Sequence, residues 1–165
     1  MEELDFQGLL GQFNAKGLER GEQVILGHFG TVQTLLSLIF KEPVTVKLLE
    51  QETRDNESAG EILRSVQLVC GVGVVCNATT HIPLEGNRPD VLADISAGTL
   101  GLGQIVVVRA IPNKRVLVDV GRNAHAFWRK YTIEGPELLL QIHEYFPRDP
   151  FEEVGWLQAG GGFDG

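Results

Sequence analysis

The chain has 165 residues, 43% of them hydrophobic and 22% charged, enough for one domain with a core that needs no disulfide scaffold or structural metal. A net charge of -8 and a pI near 5.0 argue against a nucleic-acid binder. No apolar run reaches the length of a spanning helix, the acidic start MEELDFQGLL is unlike a secretory signal, and Cys70 and Cys76 alone cannot build a zinc site. The sequence thus reads as a cytoplasmic monomer, with residues 1–158 as one α+β domain and 159–165 as a frayed tail.

Residues 1–20 read as one short helix, with Leu4, Leu9, Leu10 and Phe13 on its apolar side. A glycine-bounded segment, Gly21 to Gly30, carries the short apolar run Val24-Ile25-Leu26. Val32, Leu35, Leu36, Ile39 and Phe40 recur at helical spacing, so Thr31 to Phe40 is expected to be a helix that Pro43 ends. Val44 to Leu49 alternates as a strand, and Gln51 to Ser58 reads as a surface loop. Ile62 to Cys70 and Val74 to Ile82 flank Gly71-Val72-Gly73 as a hairpin. Pro89 to Ala97 is expected to be a helix or turn, followed by a glycine corner from Gly98 to Gly103. Ile105 to Ala110, Arg115 to Val120, Trp128 to Ile133 and Leu138 to Phe146 read as strands, the last closed by Pro147 and Pro150.

Period-two alternation singles out two charges. One face of the strand at 62–70 reads Ile62, Arg64, Val66, Leu68, Cys70; one face of the strand at 138–146 reads Leu138, Leu140, Ile142, Glu144. If these faces point inward, a guanidinium and a carboxylate are buried, at a cost of several kcal/mol per ion unless each is partnered. Two explanations stand open. Arg64 and Glu144 pair with each other or reach solvent at a strand end, or both face a cavity whose ligand completes them. His28, His81, His125 and His143 show no metal-binding spacing, and His143 should face away from Glu144. Gly98 to Gly103 lacks the Lys-Ser/Thr of a phosphate loop, and neither cysteine nor any serine sits in a nucleophile motif. Arg122 reads as a surface-turn arginine, and Phe127 and Trp128 as packing residues.

An ordered set of motifs over roughly residues 24 to 151 resembles the chorismate–pyruvate lyase family, in a divergent cyanobacterial or archaeal form. The motifs are Gly30-Thr31-Val32-Gln33-Thr34 with Val44-Thr45-Val46, Leu63 to Cys70, Ala78 to Pro83, Leu100 to Gly103, Val118 to Ala124, and Pro136 to Pro147. The resemblance implies an antiparallel sheet of about six strands with helices packed on one side and a closed internal cavity. It implies that the chain eliminates pyruvate from chorismate to give 4-hydroxybenzoate for ubiquinone or plastoquinone synthesis, with no cofactor. Carried over by motif, Arg64 pairs with the ring carboxylate and Glu144 contacts the oxygen at the opposite end, acting as acid or orienter. Leu102 supplies a backbone contact, and Val32 takes the place of a methionine beside the ligand. Many family members have an arginine at the position of Thr79, so Arg109, Arg122 or Arg129 is expected to hold the second carboxylate instead. The alternative of another class is a non-catalytic small-molecule-binding module of the same fold, like the effector domains of GntR-type repressors; the short acidic N-terminus argues against it.

Overall fold

The computed structural model describes residues 6–28, 30–55, 60–98 and 101–157. It is an α+β structure built on a six-stranded antiparallel sheet in the order β1-β2-β3-β6-β5-β4. The strands are β1 (Thr45–Asp55), β2 (Gly60–Cys70), β3 (Gly73–Pro83), β4 (Lys114–Arg122), β5 (Ala126–Gly135) and β6 (Leu138–Pro147). Two three-stranded meanders join where β3 pairs with β6, and the chain crosses between them through two helices. Helices α1 (Phe6–Ala15), α2 (Arg20–Leu26) and α3 (Val32–Phe40) precede the sheet, α4 (Pro89–Ala97) and α5 (Leu102–Val108) form the crossover, and α6 (Arg148–Glu153) follows β6.

Local chemistry explains most boundaries. Thr31 caps α3 in an extended conformation, and Lys41 leaves it in the left-handed region before Pro43. Pro89 opens α4, where its missing N–H costs nothing, and Gly98 closes it at φ 71°. The β2–β3 turn is closed by Gly73 at φ 108°, a backbone that side-chain-bearing residues resist.

Three expectations are corrected. Residues 51–55 continue β1, paired to Asp55, where a loop was expected; their polar side chains suit an edge strand with one wet face. The helix expected over 1–20 ends at Ala15, and a second one, α2, opens at Arg20 and takes in the apolar run at 24–26, its first turn fastened by the Glu22 carboxylate accepting the Glu19 N–H at 2.8 Å. Ile105–Val108, a β-branched run with high strand propensity, is part of α5: Ile105 and Val106 are buried while Val107 and Val108 face solvent. The last strand does close at Pro147 as expected, and the chain turns at once into α6, with Pro147 at its cap and Pro150 in its first turn. The expected tail at 159–165 lies outside the described residues.

One face of the sheet carries the core and the other is mostly half-buried, with Lys130, Gln141 and Tyr145 exposed. On the covered face, side chains from successive strands align in stripes. One stripe contains Ile62 opposite Ile82 and Leu140 opposite Ile133, and it packs on Val91, Ile95, Ile105 and Val106 of α4 and α5. Two residues further along, Arg64 lies opposite Thr80, Thr80 opposite Ile142, and Ile142 opposite Tyr131. The next stripe runs Val66, Ala78, Glu144, Arg129. The last has Leu68 opposite Cys76 and Phe146 opposite Phe127, under Ile25, Leu26, Leu36 and Phe40 of α2 and α3. Phe127 and Phe146 stack at 5.1 Å with Phe151 edge-on, anchoring this second cluster. Two polar stripes therefore lie between two apolar ones, at the seam between the two helix groups.

Candidate functional site

A half-enclosed pocket sits over that seam. Its cavity of about 120 Å³ is close to the ~150 Å³ of a void that takes up benzene. Its floor is the sheet, through Arg64, Val66, Ala78, Thr80, Tyr131 and Glu144; its rims are the 30–33 segment at the start of α3 and 101–104 at the start of α5. All four residues singled out from the sequence line it: Val32 and Leu102 on the rims, Arg64 and Glu144 on the floor. The pocket is half-enclosed where the resemblance implied a closed one.

Arg64 and Glu144 are not paired with each other. Arg64 is on β2 and Glu144 on β6, with β3 between them and one stripe of offset. Two strand spacings across and two residues along place their Cα atoms about 12 Å apart. Both are buried, at 5% and 4% exposure.

Their surroundings differ. Arg64 makes no ion pair among the described residues; its one hydrogen bond there is a long one, 3.4 Å from Nη1 to the Gln51 side-chain oxygen. A bulge in β1 after Leu48 turns Gln51 onto the covered face opposite Arg64, and its amide nitrogen donates to the Ile95 carbonyl of α4 at 3.0 Å. Burial lowers the guanidinium's pKa from its ordinary value, which is the signature of a cation lacking its anion.

Glu144 is held instead by Arg129, its opposite number on β5, at 2.5 Å. Arg129 is 1% exposed and also donates to the carbonyls of Leu26 at 3.1 Å and His28 at 2.6 Å, binding the end of α2 to the sheet. Its guanidinium lies 4.5 Å above the Tyr131 ring. Burial opposes its charge, but Glu144 and Tyr131 outweigh this and its pKa lies above the ordinary value. The Tyr131 hydroxyl donates to the second Glu144 oxygen at 3.4 Å; burial first and the Glu144 charge second push its pKa up. The same two causes raise the Cys76 thiol, so it is an inert packing residue.

The expected second-carboxylate partners are all committed elsewhere. Arg109 pairs with Asp94 at 2.8 Å and Asp90 at 3.5 Å outside the pocket. Arg122 ends β4 and donates to Glu22 at 2.9 Å, so it is no free surface-turn arginine. Arg129 serves Glu144. Thr79 is also displaced from its expected place: it lies opposite Ser65 and His143 on the other face, and Thr80 faces the pocket. His143 faces away from Glu144 as its alternation requires.

The burial of Arg129 beside Glu144 was also contained in the alternation, since Phe127, Arg129, Tyr131 and Ile133 form one buried row. Arg115 is the pocket arginine that the sequence reading missed. It lines the pocket from β4, half-buried, and donates to the Gly30 carbonyl at 3.2 Å. Among the described residues no helix is long and apolar enough to cross a membrane. No protein-family model matches this chain, and no curated protein does.

Proposed function

We propose that the chain is a chorismate–pyruvate lyase that converts chorismate to 4-hydroxybenzoate and pyruvate, as a monomer without a cofactor, in the supply of a quinone ring. The observation that carries this reading is a buried guanidinium without an anion among the described residues, Arg64, sharing a ring-sized pocket with a fixed carboxylate, Glu144, the two Cα atoms being about 12 Å apart. A benzoic acid with an oxygen at its far end offers a group to each of them.

In this reading Arg64 receives the ring carboxylate through a bidentate charge-assisted pair, which supplies the partner its burial lacks. Glu144, held rigid by Arg129 and Tyr131, accepts a hydrogen bond from the ring hydroxyl and orients the carbon that loses its proton. The C–O bond to the enolpyruvyl group breaks, its electron pair leaves on oxygen, and the departing enolate takes up a proton to become pyruvate. Loss of the neighbouring ring proton completes the aromatic ring, whose stability drives the reaction. The protein's work is then mostly orientation, and Val32 and Leu102 on the two rims restrict the ring from above.

Purified protein given chorismate, with pyruvate followed by a coupled assay and 4-hydroxybenzoate identified chromatographically, tests this. Arg64→Ala and Glu144→Gln are each expected to lower turnover by at least ~10²-fold. Near-normal rates in both folded variants would show that these residues do not have those roles. One observation favours the alternative of binding without turnover: Glu144 is already ion-paired, which makes it a better acceptor than proton donor. Ligand binding with no pyruvate formed decides for that alternative.

A further inference from the structure

We propose that Arg115 is the anchor for a second carboxylate, so that the pocket selects ligands with an acid group at each end over monoanions. The inference rests on the pocket being the ligand site of the proposed function, but it does not require turnover.

Across the sheet, the charged groups at the pocket follow the order Arg64 on β2, Glu144 on β6, Arg129 on β5 and Arg115 on β4. The negative charge of Glu144 is answered by Arg129 beside it. What the pocket has left over is positive at both ends, Arg64 and Arg115, in a chain whose net charge is -8. Neither arginine has an ion-pair partner among the described residues. The one hydrogen bond Arg115 makes there is to a neutral carbonyl, Gly30, on the rim that leads into α3. Guanidinium has five donors, so most of the Arg115 fork is free for a carboxylate. Its side of β4 is the covered one, since it lies opposite Ile133 in the buried row that also carries Tyr131.

A substrate whose ring acid sits on Arg64 and whose ring hydroxyl meets Glu144 would direct a substituent next to that hydroxyl toward β4. An acid on that substituent meets Arg115. The three other arginines considered for the task are excluded by their own ion pairs, with Asp94, Glu22 and Glu144. Product release follows from the same arrangement, because the aromatic product has lost the group that Arg115 holds.

The test uses two stable probes in isothermal titration of the full chain: 4-hydroxybenzoate, with one carboxylate, and 3-(carboxymethoxy)benzoate, with two. Wild type is expected to bind the diacid more tightly. Arg115→Gln should weaken the diacid about tenfold or more and 4-hydroxybenzoate less than twofold; Arg115→Lys should recover part of the loss. Arg64→Gln should weaken both. In turnover, Arg115→Gln should raise KM for chorismate more than it lowers kcat. Equal affinities for both probes in wild type and Arg115→Gln would overturn the role of Arg115 while leaving the site standing. Failure of wild type to bind either probe would overturn the site, and this proposal with it. An Arg115-dependent preference without any pyruvate from chorismate would support the second anchor and refute turnover.

Discussion

Two arginines buried on the same sheet face should respond to the same substitution with opposite signs. Arg129 is 1% exposed and is held through Nε by Glu144 and through Nη1 by two helix-end carbonyls, leaving only Nη2 without a partner. Arg129→Met leaves a buried carboxylate without its counterion, with only the long Tyr131 hydrogen bond, and takes a donor from two carbonyls; loss of one member of such a pair costs about 3–5 kcal/mol. Arg64 is 5% exposed, but holds no counterion among the described residues and one hydrogen bond there, at 3.4 Å. Arg64→Met removes a charge whose desolvation nothing repays and keeps the apolar stem, so the unliganded protein should gain about 1–2 kcal/mol. Against a total stability of about 5–15 kcal/mol, both shifts are measurable by urea denaturation. At roughly 2–4 °C per kcal/mol for a chain of this size, melting should fall by about 10 °C or more for Arg129→Met and rise by a few degrees for Arg64→Met. Destabilisation of Arg64→Met as large as that of Arg129→Met would make Arg64 a structural residue and refute the reasoning.

Glu22, fully buried between Arg122 at 2.9 Å and Arg148 at 2.8 Å, ties α2 to β4 and α6. Glu22→Ala should cost about 3–5 kcal/mol in the same urea assay, with little salt dependence because the pairs are shielded. A Cβ at Gly135 would lie 2.2 Å from the Pro112 carbonyl oxygen, a backbone atom with little room to yield. Gly135→Ala should therefore lose about 1–3 kcal/mol, read as a lower melting temperature. His28 and His143 both have pKa values lowered from 6.5, chiefly by burial, then by Arg129 for His28 and Lys130 for His143. The unfolded chain then binds more protons than the native one below 6.5, so stability is complete above that pH and falls as pH drops through the native pKa values. Urea midpoints from pH 5 to 8 should show this loss, reduced in His28→Gln and His143→Gln; a flat profile would contradict it.

The part of the site legible in the sequence is the part that local periodicity encodes. Arg64 and Glu144 stood out because regular strands put them in apolar rows, and the strands proved regular there. Arg129 carried the same signal in the row Phe127, Arg129, Tyr131, Ile133. Arg115 did not, because a bulge in β4 after Leu117 breaks the phase: Asp119 turns to the other face opposite Lys130, and Val120 turns inward opposite Arg129. The matching bulge in β1 hid Gln51 in the same way. The strand expected at 105–110 failed because β-branched propensity is decided by available partners, and α5 buries Ile105 and Val106 against the sheet face instead. The pairing of Arg129 with the carbonyls of Leu26 and His28 spans about a hundred residues of chain and leaves no trace in any local pattern.

The most direct measurement is the titration of 4-hydroxybenzoate into wild type and Arg64→Met at neutral pH. One site per chain is expected in the wild type, with binding lost in a variant that is folded and melts no lower than its parent. Unchanged affinity without the guanidinium, or no heat of binding in the wild type, would contradict a pocket built around a cation awaiting its carboxylate.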